Sequence, residues 1–427
     1  MMRLFLLILT IGQILMAASL EKITIKDTQV PLIYEQDKRL PIVSMQIVFR
    51  NSGHIEDANR SGLAKLSAKM MNEGTKTLGS SAFAKALEAK AIHISTNTGT
   101  ETMVMELSCL KEQFDEGVEQ FIALLTDPNI TQETLEKIKT ISIGSLKRRE
   151  SDFDYVASSE LKKLQFANSA LEYPSDGTIE SIESISLDEV RAFLKKHFVR
   201  ERVISVVGGD ISSKEARDAV SRVVSVLEKG EAGEAIVVAT NLKIQESILK
   251  RTTEQAYIYF GSPYSMKVDD KEYYKARVAT YILGTGGFGS RLMEEIRVKR
   301  GLAYSAYARV SVSRSHSLFS GYLQTKIESL KEAQSTVKEV IADFVKEGVT
   351  QAELDHAKKF LLGSEPLRVE TLSQRLSRTF LEYYKGQGLG HAAKELELIS
   401  ALKLEDLNVF IKQHKEINDL SFAIVTE

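Results

Sequence analysis

The chain repeats one plan twice, and this repeat constrains its fold more than any other feature of the sequence. Thr131–Leu135 (TQETL) matches Thr350–Leu354 (TQAEL), and Ile185–His197 matches Leu402–His414, at nearly the same separation along the chain. In each copy the second segment has the pattern of a charged helix followed by an apolar strand. Both TQ segments also have a threonine followed by a nearby glutamate, which predicts a helix start with a capping box. Matches at two places with an almost constant offset indicate two tandem homologous domains.

The rest of the pattern fits two α+β domains. A chain of 427 residues is longer than one hydrophobic core usually serves. Strands separated by helices, with hairpin-like alternation over residues 91–107, predict a mostly antiparallel sheet in each domain, packed with helices on one face. A small, polar, glycine-bearing stretch at 229–234 suits a linker. We therefore divide the chain into a signal peptide (1–19), an N-terminal domain (20–228), a linker (229–245) and a C-terminal domain (246–427).

The first residues have the pattern of a secretory signal peptide. Arg3 supplies positive charge, residues 4–16 are apolar, and Ala17, Ala18 and Ser19 are small, as signal peptidase requires. The apolar run is short for a bilayer span, although an uncleaved anchor is the alternative. We expect a secreted, periplasmic protein with no stable membrane insertion after cleavage. A net charge of −2 argues against a nucleic-acid surface.

The cysteine and the histidines offer no obvious catalytic or metal-binding group. The single cysteine, Cys109, lies in an apolar alternation and predicts a buried strand residue, not a nucleophile. The seven histidines include no two at helical ligand spacing. They are His54, His93, His197, His316, His356, His391 and His414. Because His197 and His414 occupy equivalent places in the repeat, we expect a structural role for both at helix ends.

Residues 284–304 carry the strongest functional pattern. A glycine-rich loop is followed by Arg297 and Tyr304, whose guanidinium and phenol groups can both donate hydrogen bonds to one peptide oxygen or developing oxyanion. A surface arginine beside a packed tyrosine is the simpler alternative. The proposed loop residues are Gly284, Gly286, Gly287, Phe288 and Gly289. Arg291 and Arg300 nearby are expected to make structural or interdomain contacts.

The chain resembles the pitrilysin and mitochondrial-processing-peptidase superfamily over almost all of its mature length. The motifs that carry the resemblance are Ser61–Ala64, Asn72–Thr75, Asp127–Glu136, Leu283–Leu292 and Arg297–Tyr304. The resemblance implies a two-domain metallohydrolase fold of the processing-peptidase type. Active members carry a zinc motif, H-x-x-E-H, on a helix of the first domain.

This chain departs from that motif at each expected position. The two histidine positions hold Lys65 and Lys69, the glutamate position holds Ala68, and the third ligand aligns with Gly144 and Ser145. Lysine ammonium groups offer zinc no lone pair at neutral pH. The family binds peptides as an added strand on a sheet edge, and here that edge has Ser95 and Thr96 where active relatives usually have Asn-Ala. Peptide binding by the first domain is therefore in doubt.

Some members of this family are obligate pairs, which suggests a role for a chain that keeps only the second-half motif. We expect a zinc-free subunit that pairs with a homologous subunit bearing H-x-x-E-H. The resemblance implies that Arg297 and Tyr304 contact a peptide substrate in the partner's site, while zinc is bound by the partner and no cofactor by this chain. The chain alone is then not a peptidase. The alternatives are an inactive structural or peptide-binding subunit and a stand-alone peptide-binding protein.

Overall fold

The structure is a computed structural model that describes residues 18–427. The signal peptide predicted at residues 1–19 lies outside this range, except for its last two residues. None of the helices between residues 18 and 427 combines the length and the hydropathy that a membrane-spanning segment needs. Two sheets, each with its own helices, make up the described part of the chain.

The first sheet has six strands in the spatial order β1-β2-β6-β3-β5-β4. These strands are β1 (Ser19–Ile25), β2 (Thr28–Gln36), β3 (Ile42–Arg50), β4 (His93–Thr98), β5 (Thr102–Leu110) and β6 (Val203–Gly209). β2 and β6 are parallel, and the other neighbours are antiparallel. The helices of this half are α1 (Leu63–Met71), α2 (Gly79–Glu88), α3 (Phe114–Thr126), α4 (Gln132–Arg149), α5 (Phe153–Phe166), α6 (Ile179–Ser184), α7 (Leu187–His197) and α8 (Ser213–Ser225).

The second sheet has five strands in the order β7-β11-β8-β10-β9. These strands are β7 (Glu246–Lys250), β8 (Gln255–Pro263), β9 (Ala303–Val312), β10 (Ser317–Lys326) and β11 (Ser421–Thr426). The helices are α9 (Tyr273–Thr280), α10 (Arg291–Met293), α11 (Leu330–Glu347), α12 (Gln351–Gly363), α13 (Leu372–Tyr384), α14 (His391–Ala401) and α15 (Leu404–Gln413). β7 and β11 are parallel and the remaining pairs antiparallel, which reproduces the order β2-β6-β3-β5-β4 of the first sheet. The predicted α+β class and internal repeat are confirmed.

Local sequence sets the start of the matched helices α4 and α12. The Thr350 hydroxyl accepts from the Glu353 amide (3.3 Å), and the Glu353 carboxylate accepts from the Thr350 amide (2.7 Å), which is a complete capping box. Thr131 caps α4 in the same way through the Thr134 amide (3.2 Å), but the third helical position there is threonine. The predicted capping box is therefore wrong at Thr131, because Thr134 has no carboxylate to reach back.

One helix from each half of the chain packs on the sheet of the other half. α5 packs on β8 and β11, and its counterpart α13 packs on β2 and β6. Leu376 and Tyr384 of α13 join an apolar cluster on the face of the first sheet that its own helices leave open. The prediction of helices on one face holds for each domain's own helices. The opposite face is covered by the helix from the other half, because both sheet faces carry apolar side chains.

The segment predicted as a linker, 229–245, contains no helix or strand. Its beginning is held to the first half by hydrogen bonds to backbone carbonyls. Arg202 Nε donates to the Glu231 carbonyl (3.0 Å), and Asn51 Nδ2 donates to the Gly233 carbonyl (3.1 Å). Two side chains from the first half thus fix where the chain leaves that half.

Candidate functional site

Arg297 and Tyr304 come together at one edge of the second sheet. Arg297 lies in a π-helical turn (Glu294–Lys299) after α10, and Tyr304 is the second residue of the edge strand β9. Arg297 Nη1 donates to the Tyr304 backbone carbonyl at 2.8 Å. The Arg297 guanidinium carbon lies 4.2 Å from the centre of the Tyr304 ring and 4.6 Å from that of Phe288. The structure therefore brings three of the sequence-predicted residues into one cluster.

This cluster of Phe288, Arg297 and Tyr304 faces outward. The Tyr304 side chain is 81% exposed and Phe288 is 66% exposed, although aromatic side chains of this size usually bury most of their surface. Cation–π contact at an exposed site contributes about 0.5–1 kcal/mol, and beside these two rings Arg297 itself is partly exposed. One Arg297 N–H donates to the Tyr304 carbonyl, and among residues 18–427 neither its other N–H groups nor the Tyr304 hydroxyl makes a further hydrogen bond.

The glycines of the loop differ in what they do. A Cβ at Gly284 would lie 2.5 Å from the backbone N and O of Ala308, and Gly284 is buried. Close packing of the loop on β9 therefore explains why this position holds a glycine. We assign Gly284 to packing, and its predicted substrate contact stays a prediction. Added Cβ atoms at Gly286 and Gly289 would also approach their own domain, at Tyr281 and His356.

At Gly287 the backbone conformation itself requires a glycine. Its φ of +60° lies in the left-handed region, and nothing within 4 Å would meet an added Cβ. The turn at Gly287 carries the chain directly into Phe288, whose ring then lies on the guanidinium of Arg297. The loop thus presents Phe288, while most of its glycines permit close packing.

The two other arginines of the motif are structural, as predicted. Arg291 forms an ion pair with Glu353 of α12 (2.7 Å) and donates to the Gly348 carbonyl (2.7 Å). Arg300 pairs with Glu295 in the same turn (2.6 Å). Both sets of contacts stay within the second half of the chain.

The positions expected to bind zinc form a different kind of site. Lys65, Ala68 and Lys69 lie on α1, and Ser145 lies on the facing helix α4. Lys69 Nζ donates to the Ser142 hydroxyl at 2.9 Å. Burial lowers the pKa of Lys69 from its ordinary value. The Asp176 carboxylate opposes this change, and the nearby charges of Lys65 and Arg149 add to it. These ammonium and hydroxyl groups do not fit a zinc site, because the lysines are donors with no free lone pair and repel a cation.

Elsewhere between residues 18 and 427, no group of three histidine, cysteine or carboxylate side chains is arranged to hold a metal ion. Cys109 is buried on β5, as predicted, and burial raises its pKa to about 11. His197 ends α7 and is packed against Phe193, and His414 caps α15 and stacks on Tyr264. The structural role predicted for these two histidines is confirmed by those contacts.

One feature of the first domain was missed by the sequence reasoning. The amide of Asn72, just after α1, pairs with the backbone of Thr96 on the edge strand β4. The Thr96 N–H donates to Asn72 Oδ1 at 2.7 Å, and Asn72 Nδ2 donates to the Thr96 carbonyl at 2.9 Å. A peptide adding to this edge would need those same backbone groups. Asn72 therefore closes the edge at Thr96, and the only sequence signal for it was a polar residue where α1 ends.

Comparison with known proteins identifies a family. The family described as insulinase (peptidase family M16) matches residues 32–179, and the one described as peptidase M16 inactive domain matches residues 184–361. A Helicobacter pylori protein called non-peptidase homolog YmxG is 43% identical over 427 residues, which cover 100% of this chain and 99% of that protein.

Two further similarities are more distant. A Bacillus subtilis protein called uncharacterized zinc protease YmxG is 24% identical over 90% of this chain and 93% of its own length. A crystal structure of a peptidase M16 inactive domain from Pseudomonas fluorescens matches with a TM-score of 0.87 at 23% identity, covering 95% of this chain and 98% of that one. The structural match supports the fold, and the printed names of the two sequence relatives differ on peptidase activity.

Proposed function

The chain belongs to the M16 (pitrilysin) family as a non-peptidase member, and from that premise we propose that it is the zinc-free subunit of a secreted two-subunit metallopeptidase. Its task in the assembly is to place Arg297 and Tyr304 against a peptide bound in the site of a homologous, zinc-bearing partner. The donor groups at its own zinc-motif positions do not fit a metal, so the chemistry of bond cleavage belongs to the partner.

The observation that carries this proposal is the cluster of Phe288, Arg297 and Tyr304, whose two aromatic residues are largely exposed. A guanidinium held by two rings and by one backbone carbonyl is suited to bind a peptide carbonyl and the negative charge that develops on it. A site that acts within its own chain would normally be shielded from water. The exposure of Tyr304 fits a site that a second subunit covers.

The place of action is part of the same proposal. A signal peptide at residues 1–19 would deliver the chain to the periplasm, where an assembly of this kind would cleave unfolded or short peptides. A homologous partner exported by the same route would meet it there.

An inactive structural or peptide-binding subunit is the second candidate. The closure of the β4 edge by Asn72 favours its structural form, because the first domain then offers a peptide no free backbone at Thr96. The same contact disfavours a peptide-binding role at this edge, whether in a subunit or in a stand-alone protein. A purely structural role gives no chemical reason for Arg297 beside the exposed Tyr304, so we prefer the two-subunit enzyme.

The experiment is reconstitution. The chain is purified alone and together with a co-exported homologue that carries H-x-x-E-H, and cleavage of a fluorogenic peptide is measured with zinc content. We expect a stable complex, cleavage by the complex, and neither zinc nor cleavage with the chain alone. Stoichiometric zinc and cleavage by the isolated chain would refute the proposal, and so would a complex no more active than the homologue alone.

A further inference from the structure

The face of α1 at the zinc-motif positions carries positive charge that the described part of the chain does not neutralise. Lys65 makes no hydrogen bond or ion pair with any residue from 18 to 427, and Lys69 makes one hydrogen bond, to the Ser142 hydroxyl. Both side chains are only partly exposed. Since positions four apart share one face of a helix, the two ammonium groups lie on the same side of α1. Ala68 adds only a methyl group beside them.

Besides Lys65, the charges that act on Lys69 are those of Arg149 and Asp176, which pair with each other. Arg149, at the end of α4, forms an ion pair with Asp176 at 2.8 Å, and its guanidinium lies over the Tyr155 ring. Asp176 is close enough to act on Lys69, but its carboxylate is held by Arg149. The surroundings of the two lysines therefore remain positive overall. A partly buried ammonium group without a counterion is unfavourable, and an anion bound there would offset that cost.

The donors around Lys65 and Lys69 indicate the size and charge of the anion that would bind there. Two ammonium groups and the Ser142 hydroxyl, with Ser145 one turn further along α4, offer donors for two oxygen atoms. The nearby Asp176 carboxylate would repel a dianion more strongly than a monoanion. A carboxylate therefore suits the site better than a phosphate.

We propose that Lys65 and Lys69, together with the serine hydroxyls of α4, bind a carboxylate group of a peptide chain. The group is either the C-terminal carboxylate or an aspartate or glutamate side chain. The site uses the vacated zinc-motif positions of the first domain, with α1 and α4 as its two walls. It is separate from the cluster of Phe288, Arg297 and Tyr304 and does not depend on the two-subunit proposal.

The test compares four ligands by calorimetry on the purified chain. They are an N-acetylated alanine tetrapeptide with a free C-terminus, its C-terminal amide, the same amide with one internal glutamate, and inorganic phosphate. We expect the free acid or the glutamate peptide to bind about tenfold or more tightly than the plain amide, since a charge-assisted hydrogen bond contributes on that scale. The stronger of the two identifies the source of the carboxylate.

Substitution of the two lysines tests whether they cause the preference for the carboxylate ligand. Lys69→Met and Lys65→Met should each abolish the preference for the carboxylate ligand. Lys85→Met, at an exposed lysine of α2, should leave it unchanged. Circular dichroism and thermal melting of each variant show that the chain is still folded.

Three outcomes overturn the proposal. The first is equal binding of the three peptides, and the second is a preference for the carboxylate ligand that survives in the double Lys65→Met, Lys69→Met variant. The third is phosphate binding that depends on both lysines while no peptide carboxylate binds, which would show that the site binds a free inorganic anion. None of these outcomes changes the expected activity of a reconstituted complex, so this proposal and the two-subunit proposal can fail separately.

Discussion

At the scale of single residues, the sequence predicted a contact between residues close in the chain and missed contacts between distant segments. The proximity of Arg297 and Tyr304 followed from motif spacing, because seven residues span one helical turn and the return into β9. The role of Gly284 did not follow, because close contact with Ala308 depends on how the loop packs on a strand some twenty residues later. The pairing of Asn72 with Thr96 was missed for the same reason. Side chain to backbone contacts between distant segments leave no periodic pattern in a sequence.

The packing role of Gly284 predicts a large stability loss for Gly284→Ala. The added methyl would overlap backbone atoms of Ala308 that cannot move independently of β9, at a cost of about 1–3 kcal/mol. The urea midpoint of unfolding should fall accordingly. Gly363→Ala is the matched control, since a Cβ there meets nothing within 4 Å, and it should change stability by less than about 1 kcal/mol. Equal midpoints for the two variants would contradict the packing explanation.

At the scale of secondary-structure elements, the repeat predicted most of the fold. Alternating apolar residues place β3 and β8 at equivalent positions, and the TQ segments place α4 and α12. The exchange of α5 and α13 between the two sheets was not predictable from these patterns. An amphipathic helix shows that it has a face to bury, but it does not show which sheet that face covers.

The closed edge of β4 gives a prediction for hydrogen exchange. The Thr96 amide should exchange slowly, because it donates to Asn72 Oδ1 although β4 is an edge strand. Asn72→Ala should accelerate exchange at Thr96 and leave the amides of β3, which lies between two strands, unchanged. Mass spectrometry of the peptide that contains β4 measures this. Fast exchange at Thr96 in the unmodified chain would show that the edge is open.

At the scale of the whole molecule, the two halves are joined by buried ionic contacts as well as by the exchanged helices. Arg375 of α13 pairs with Glu35 at 2.5 Å and with Asp37 at 2.6 Å, both at the end of β2. Glu35 is 4% exposed. A buried carboxylate that loses its partner is strongly destabilising, whereas removing both partners is much less so.

Arg375→Met should therefore lower the stability of the whole chain by about 3–5 kcal/mol, since Glu35 would remain buried and unpaired. The double variant Arg375→Met, Glu35→Met should recover a large part of this loss, because Asp37 keeps Arg39 as a second partner. Thermal melting of the two variants provides the measurement. A double variant less stable than the single one would contradict the explanation by an unpaired, buried Glu35.

The proposed function requires Arg297 and Tyr304 to act in a partner's site. The most direct test is the kcat/KM of the reconstituted complex with Arg297→Ala or Tyr304→Phe in this chain. Loss of a donor to the developing oxyanion should lower kcat by about 10²-fold or more while the complex still forms. Arg300→Ala, in the same turn but paired with Glu295, is the control and should have little effect. Full activity in both the Arg297→Ala and Tyr304→Phe complexes would show that these two residues do not act in the partner's site.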